Sequence, residues 1–219
     1  MAEGIENAVN DKKYIGDKDK DQLDLCYPPI VQSGGNYKLK FSHQSDKENI
    51  HFGAIICTFG ARYKQYCSNI ARTFLVNPSE KIQSIYNMLV SLEEHILNEL
   101  KDGAKCSDVY KSAVSFVKKE SPELVDKLTK NFGFVTGIEF RESFLCITPN
   151  CDAVVRKGMV FNINLGLTGL TNKEASDSKV VYFQSKPENS KKSRPKKLLE
   201  SNKLITRKLF LTKIHFLQF

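Results

Sequence analysis

The sequence has no apolar run approaching the roughly 18–20 residues that a membrane-spanning helix needs. Its first residues, MAEGIENAVNDKKY, hold no apolar stretch of the kind a secretory signal requires. Its six cysteines, Cys26, Cys57, Cys67, Cys106, Cys146 and Cys151, include no C-x-x-C pair. Neither a zinc site nor a disulfide framework is expected of cysteines scattered in this way. Cys57 and Cys67 lie in apolar or strand-like stretches and read as small buried hydrophobes. Together these absences predict a soluble, non-secreted protein of a reducing compartment, cytosol or nucleus, with no membrane partner.

What is present suffices for a globular core. Of the 219 residues, 41% are hydrophobic and 26% charged, which suits one domain, or one domain with a tail, and excludes disorder throughout. The formal net charge of +8 is unevenly placed. Residues 183–219 hold ten of the 33 basic residues and only two acids, Glu188 and Glu200, so the charges of 1–182 cancel. A basic globular body that grips nucleic acid is therefore not expected. The division predicted is a neutral domain over 1–182 and a basic, disordered tail over 183–219. In that tail, SKPENSKKSRPKK places Lys191, Lys192, Arg194, Lys196 and Lys197 together, either as a nuclear-import signal or as weak, salt-sensitive contacts to nucleic-acid phosphates.

Along the chain, residues 5–25 read as a short helical start and a solvated linker. PIVQS predicts a strand before a Gly34-Gly35 turn, HFGAIICTFG a buried strand, and ARYKQYCSNIARTFLV continued strand material. Asn77-Pro78-Ser79-Glu80 predicts a helix start with Asn77 as cap and Pro78 at the first helical position. Apolar residues then recur at Ile82, Ile85, Leu89, Leu92, Ile96 and Leu100, one buried stripe that Asp102-Gly103 ends. His95, beside the stripe, reads as a boundary histidine. Further helices are expected over 107–119 and 122–129, then strands in FVTGIEF and GMVFNINLGL. This order predicts an α+β fold with helices packed on one face of a sheet.

Four segments in sequence, YPPIVQSGGNY, CTFGARYKQYCSNIARTF, NFGFVTGIEFRES and GMVFNINLGL, resemble the pita-bread fold of methionine aminopeptidase and aminopeptidase P. Within that superfamily, SGGNYKLKFS, YCSNIARTF, GIEFRES and KGMVFNINLGLTGLTNKE look like the large-subunit family of the histone chaperone FACT (facilitates chromatin transcription). The resemblance spans about 5–182 and implies a curved mixed sheet with helices on one face. Active members of the superfamily are two-metal hydrolases whose ions activate a water. They hold the ions with two Asp, one His and two Glu, because such ions need hard anionic oxygens and neutral imidazole.

Carried onto this sequence, the first Asp position falls on Thr58 and the second on Asn69. The histidine falls on Phe134 and the first Glu on Asn164. The second Glu finds no counterpart, since the resemblance ends near Phe183. Two substrate-side histidine positions fall on Phe41 and Arg141. No metal and no cofactor is therefore expected, Glu139, Arg141 and Glu142 read as surface ions, and His51 has no partner carboxylate at useful spacing.

The resemblance implies a catalytically inactive FACT component, a histone- or peptide-binding module of nucleus and chromosome that acts in nucleosome reorganisation during transcription, DNA replication and repair. A peptidase cleft without its metals still suits an extended chain, with Phe41, Thr58, Asn69, Phe134, Arg141 and Asn164 as candidate lining. Core histones and the nucleosome are the implied partners. The smaller HMG-box subunit is expected to engage only regions that this sequence lacks, and the sequence reads as a truncated fragment without an acidic tail. The alternatives are an active metallo-aminopeptidase, disfavoured by the ligand positions, or a remnant that binds nucleic acid weakly through its tail.

Overall fold

The first half of the chain is built on one hairpin. β2 (Ala54–Tyr63) and β3 (Tyr66–Leu75) pair antiparallel without a break, from Ala54 opposite Leu75 to Tyr63 opposite Tyr66. The turn is Lys64-Gln65, with φ of 49° and 69°, the left-handed pair that a two-residue hairpin requires. Neither residue is a glycine or asparagine, which is why ARYKQYCSNIARTFLV reads as uninterrupted strand although the chain reverses inside it. β1 (Leu23–Gln32) lies on the other edge of β2. Its register shifts between Leu25 and Tyr27 and again between Tyr27 and Ile30. Pro28 and Pro29, which have no N–H to give to a ladder, fall in the second break.

In this computed structural model, residues 1–17, 19–35, 37–38, 40–45, 49–171, 180–184 and 214–216 are described. Two short helices, α1 (Ala2–Ala8) and α2 (Lys12–Ile15), precede β1. α3 (Glu80–Glu99) starts later than the sequence suggests: its cap is Ser79, and Pro78 stays outside. Asn77 does not cap it, because its backbone is left-handed (φ 46°) in the turn that leaves β3. The expected stripe is buried at Ile82, Leu89, Leu92, Ile96 and Leu100, with Ile85 half-buried. α4 (Cys106–Glu120) packs Val109, Ala113 and Val117 into the same core as Phe132, Ile147, Phe161 and Leu165. Each fully buried Leu or Ile contributes roughly 1.5–3 kcal/mol, so this stripe anchors α3 on the sheets. The helix expected over 122–129 is a 3-10 turn, Pro122–Lys127, too short and proline-led to settle into an α-helix.

In the second half, β4 (Gly133–Val135) pairs with β5 (Val160–Ile163), whose other edge takes β8 (Ile214–Phe216). β6 (Gly166–Thr171) pairs with β7 (Val180–Gln184). FVTGIEF is strand only as far as Val135. Beyond it the chain turns, with the Gly137 N–H on the Glu139 carbonyl and the Glu142 N–H back on the Val135 carbonyl. Gly133 permits the β4–β5 approach, since a Cβ there would stand 2.5 Å from the Asn162 carbonyl oxygen. The hairpin joins this half through the Cys67 N–H, 2.7 Å from the Gly137 carbonyl. The result is the expected α+β fold. Lys191, Lys192, Arg194, Lys196 and Lys197 lie outside the described residues. Among those described, no helix is long and apolar enough to cross a membrane.

Two charged side chains lie deep in this core. Arg72 of β3 is 2% exposed and Glu93 of α3 is 3% exposed. Burial pulls the Arg72 guanidinium down to about 10, while the nearby Tyr86 and Glu93 support its charge, and its Nη1 donates to the Ala71 carbonyl at 2.6 Å. It stays protonated at neutral pH. Removing one member of such a pair strands the other in a low dielectric. Glu93→Leu is expected to lower stability by about 3–5 kcal/mol, and the double variant Arg72→Met/Glu93→Leu by clearly less than the two singles combined. Urea unfolding of the four proteins measures this coupling.

Candidate functional site

Three residues in line across the first sheet form the centre of the site. Tyr27 of β1 stands opposite Gly60 of β2, and Gly60 stands opposite Asn69 of β3. Because Gly60 has no side chain, the Tyr27 ring crosses β2 and its hydroxyl donates to Asn69 Oδ1. The same hydroxyl meets the side chain of Thr58. A Cβ at Gly60 would lie 2.8 Å from Tyr27 Cε1, 3.1 Å from Cys26 Cβ and 3.3 Å from Phe140 Cε2. Asn69 is 3% exposed, and its carbonyl accepts from Asn162 Nδ2 of β5 at 3.4 Å. The chain of contacts thus runs from β1 over β2 and β3 to β5.

Aromatic rings close over this centre. Tyr27, Phe41, Phe134 and Phe140 stand with ring centroids 5.2–5.9 Å apart in tilted and edge-to-face contacts. Such pairs add about 0.5–1.5 kcal/mol each beyond the area they bury. The Arg141 guanidinium lies over the Phe134 ring, 5.4 Å from its centroid, and Nη2 is 3.9 Å from Cys146 Sγ. Arg141 therefore places its charge on an aromatic face. What space remains beside Thr58 and Phe41 is a recess of about 10 Å³, lined also by Ile30, Gln32, Lys38, Lys40 and Ile56, no more than one water needs.

Of the six positions read from the sequence, five meet here: Phe41, Thr58, Asn69, Phe134 and Arg141. Asn164 lies past the end of β5, with its N–H on the Phe132 carbonyl. The amide that reaches Asn69 is Asn162, two residues earlier on the same strand and fully buried. Its Oδ1 finds no partner among the described residues. Tyr27, Phe140, Asn162 and Gly60 as the crossing point were not visible in the sequence. The only sequence signal for the first two is that each sits in a phrase already singled out, CYPPIVQSGGNY and GIEFRES.

The sequence model of metallopeptidase family M24 matches residues 2–185. The chain belongs to this family. Its curated relatives are FACT complex subunits: it is 40% identical to the FACT complex subunit SPT16 of Yarrowia lipolytica over 187 residues, covering 82% of this chain and 19% of that protein. Among solved structures it matches the N-terminal domain of FACT complex subunit SPT16 from chickpea, Cicer arietinum. That match has a TM-score of 0.79 and 41% identity, over 84% of this chain and 44% of the other. The X-Pro aminopeptidase of Thermotoga maritima shares the fold, with a TM-score of 0.59 and 18% identity over 73% of this chain and 43% of that one. The chain spans about a fifth of the length of the curated relatives it matches.

An M24 fold raises the question of a metal pair. At the two residues that the sequence resemblance sets against carboxylate ligands, the structure shows the Thr58 hydroxyl and the Asn69 carboxamide, both engaged by Tyr27. A hydroxyl and a neutral amide do not fit a pair of divalent ions, and among the described residues no three His, Cys, Asp or Glu side chains stand together at ligating distance.

Burial dominates the electrostatics of the site. It raises the Tyr27 hydroxyl above its ordinary value, and the bond from Thr58 only partly offsets this. The Cys26 thiol is pushed up to about 12 by burial and then by neighbouring Cys67, and Cys57 to about 11 by burial. Near the α4 start, burial and then Cys151 push Cys106 up to about 12. These thiols are inert at neutral pH, which agrees with a packing role.

Two predictions follow from the crossing and the buried thiols. Tyr27→Phe leaves Asn69 Oδ1 buried without its donor, and Gly60→Ala forces the ring aside. Each is expected to lower stability by about 1–3 kcal/mol in urea unfolding. The raised thiols keep their protons in the folded chain where the unfolded chain has lost them. Stability should therefore fall as pH rises from about 9 towards 11, and a urea midpoint that climbed over that range would contradict the assignment.

Proposed function

We propose that this chain is a non-catalytic, FACT-subunit-like module that binds core histones or other peptides in the nucleus, as part of nucleosome reorganisation in transcription, replication and repair. The supporting observation is the neutral, filled centre, the Tyr27 hydroxyl bound to Asn69 among four aromatic rings, at residues that the sequence resemblance sets against the carboxylate ligands of M24 peptidases. The relatives at 37–45% identity, all FACT complex subunits, support the same reading.

With the centre filled, the candidate cleft formed by Phe41, Thr58, Asn69, Phe134, Arg141 and Asn164 offers its rim rather than its interior. Phe41 is half-exposed and Arg141 exposed, whereas Thr58, Asn69 and Phe134 are buried. A backbone laid over this rim would meet aromatic edges and one guanidinium. The neutral domain is proposed to centre on 1–182, with β7 running on to Gln184 and β8 (Ile214–Phe216) paired to β5, and the basic run Lys191, Lys192, Arg194, Lys196 and Lys197 to serve nuclear import.

The test is fluorescence anisotropy of labelled core histones titrated with the full chain at physiological salt, with and without a chelator. Alongside it, an X-Pro dipeptide is incubated with the chain and manganese or cobalt. Saturable histone binding that ignores the chelator, with no dipeptide cleavage, is the expected result. Metal-dependent cleavage abolished by the chelator would establish a peptidase instead.

A further inference from the structure

We propose that the outer edge of β5 takes up an extended, apolar and basic peptide strand from a partner by antiparallel strand addition, in competition with this chain's own Ile214–Phe216. The inference rests on the peptide-binding reading above and gives the backbone of such a peptide a place in the fold.

The pairing on one side of β5 fixes what the other side must do. The Thr136 N–H donates to the Val160 carbonyl at 2.9 Å and the Asn164 N–H to the Phe132 carbonyl at 3.0 Å, in the register that sets Phe134 opposite Asn162. Antiparallel ladders alternate. Val160, Asn162 and Asn164 therefore turn their backbone groups towards β4, and Phe161 and Ile163 turn theirs to the outer edge. Those two residues are 1% and 2% exposed, and a buried N–H or C=O needs a partner. The edge carries none of the devices that blunt an unpaired strand, since Val160–Ile163 holds no proline and no charge. β5 is built as an inner strand, and its outer edge calls for another.

The chain supplies one itself. Phe161 stands opposite His215, between the pairs Val160–Phe216 and Asn162–Ile214, so His215 is the residue that exchanges both backbone bonds with Phe161. This occupant shows the chemistry that the edge accepts. Lys213-Ile214-His215-Phe216 alternates polar and apolar residues as a strand does. Residues 204–219 carry Arg207, Lys208 and Lys213 and no acid. The cis strand is short, Ile214–Phe216, and main-chain bonds do not distinguish which chain provides them. A partner segment of the same character can replace it once it overcomes the advantage of attachment, an effective concentration on the order of 1 mM.

Fluorescence anisotropy with the full chain tests this, using a fluorescein-labelled peptide with the sequence of residues 206–219 and, as control, the same peptide carrying H215P. Proline removes the N–H that the Phe161 carbonyl receives. The chain variant His215→Pro vacates the edge and is expected to bind the peptide roughly tenfold tighter than the wild-type chain does, with no uptake of the control peptide by either. Amide hydrogen exchange gives a second reading. In His215→Pro the Phe161 N–H should exchange roughly tenfold faster while the Thr136 N–H keeps its protection, and added peptide should slow Phe161 again. Equal affinity of the two chains for the peptide, or equal uptake of the control peptide, overturns the edge. So does faster exchange at Thr136 that peptide does not reverse, which would make β8 a fixed part of the fold. Labelled core histones separate this proposal from the module reading. Histones that bind both chains alike, with no gain in peptide affinity, overturn the edge and leave the module intact. Tighter peptide binding by His215→Pro without any histone binding supports the edge and removes the histone reading.

Discussion

A tyrosine passing over a glycine sets the interior of this domain. Without the bare backbone of Gly60, Tyr27 could not reach Asn69, and the bond between them is what draws β1 and β3 to a common point across β2. Asn69 in turn presents its carbonyl to Asn162, so the first sheet and the β4–β5 pair share one buried polar line. The aromatic rings then have a defined surface to pack on: Phe41 and Phe140 lie against Tyr27, and Phe134 completes the enclosure. Polar bonds fix the geometry here, and apolar burial supplies most of the stabilisation.

The same arrangement shows how a buried polar centre can be built from neutral groups. A cluster of buried carboxylates is unstable without cations, because like charges in low dielectric repel and each loses its hydration. An asparagine amide and a threonine hydroxyl carry no such penalty provided that they are hydrogen-bonded. Tyr27 satisfies both with a single hydroxyl. Arg72 and Glu93 take the opposite course in the neighbouring core, keeping full charges that offset each other. The domain thus contains two solutions to buried polarity, one neutral at Asn69 and one ionic at Arg72, on opposite faces of β3.

How much of this could be read from the amino-acid sequence depends on the range of the interaction. The α3 stripe is a local repeat, and Ile82, Leu89, Leu92, Ile96 and Leu100 are buried as their spacing implies. The hairpin turn was hidden because Lys64-Gln65 adopts a left-handed pair without the residues that usually advertise one. FVTGIEF has strand composition, yet its second half turns to pass Gly137 to Cys67, a contact between residues 70 apart in the chain. The candidate site follows the same rule. Phe41, Thr58, Asn69, Phe134 and Arg141 fall in phrases that the resemblance singles out, and the structure brings the five together. The part of Tyr27 and Phe140 could not be read there, because nothing in a linear phrase says that a ring will cross a strand. Asn164, in the phrase FNINLG, lies past the end of β5, whereas Asn162 of the same phrase reaches Asn69.

Charge divides the surface in a way that bears on how a peptide-binding module would work. The rim of the filled centre presents Lys38, Lys40 and Arg141, whereas the groove between α3 and α4 presents Glu94 and Glu120. A ligand of one sign cannot favour both. For a cationic partner, attraction to exposed carboxylates acts at longer range, because surface charges reach over about a Debye length, roughly 8 Å at physiological salt. Contact at the aromatic rim would be short-range and governed by shape and apolar area. A domain whose charges cancel overall can therefore still orient a basic chain, since orientation depends on where the charges stand rather than on their sum.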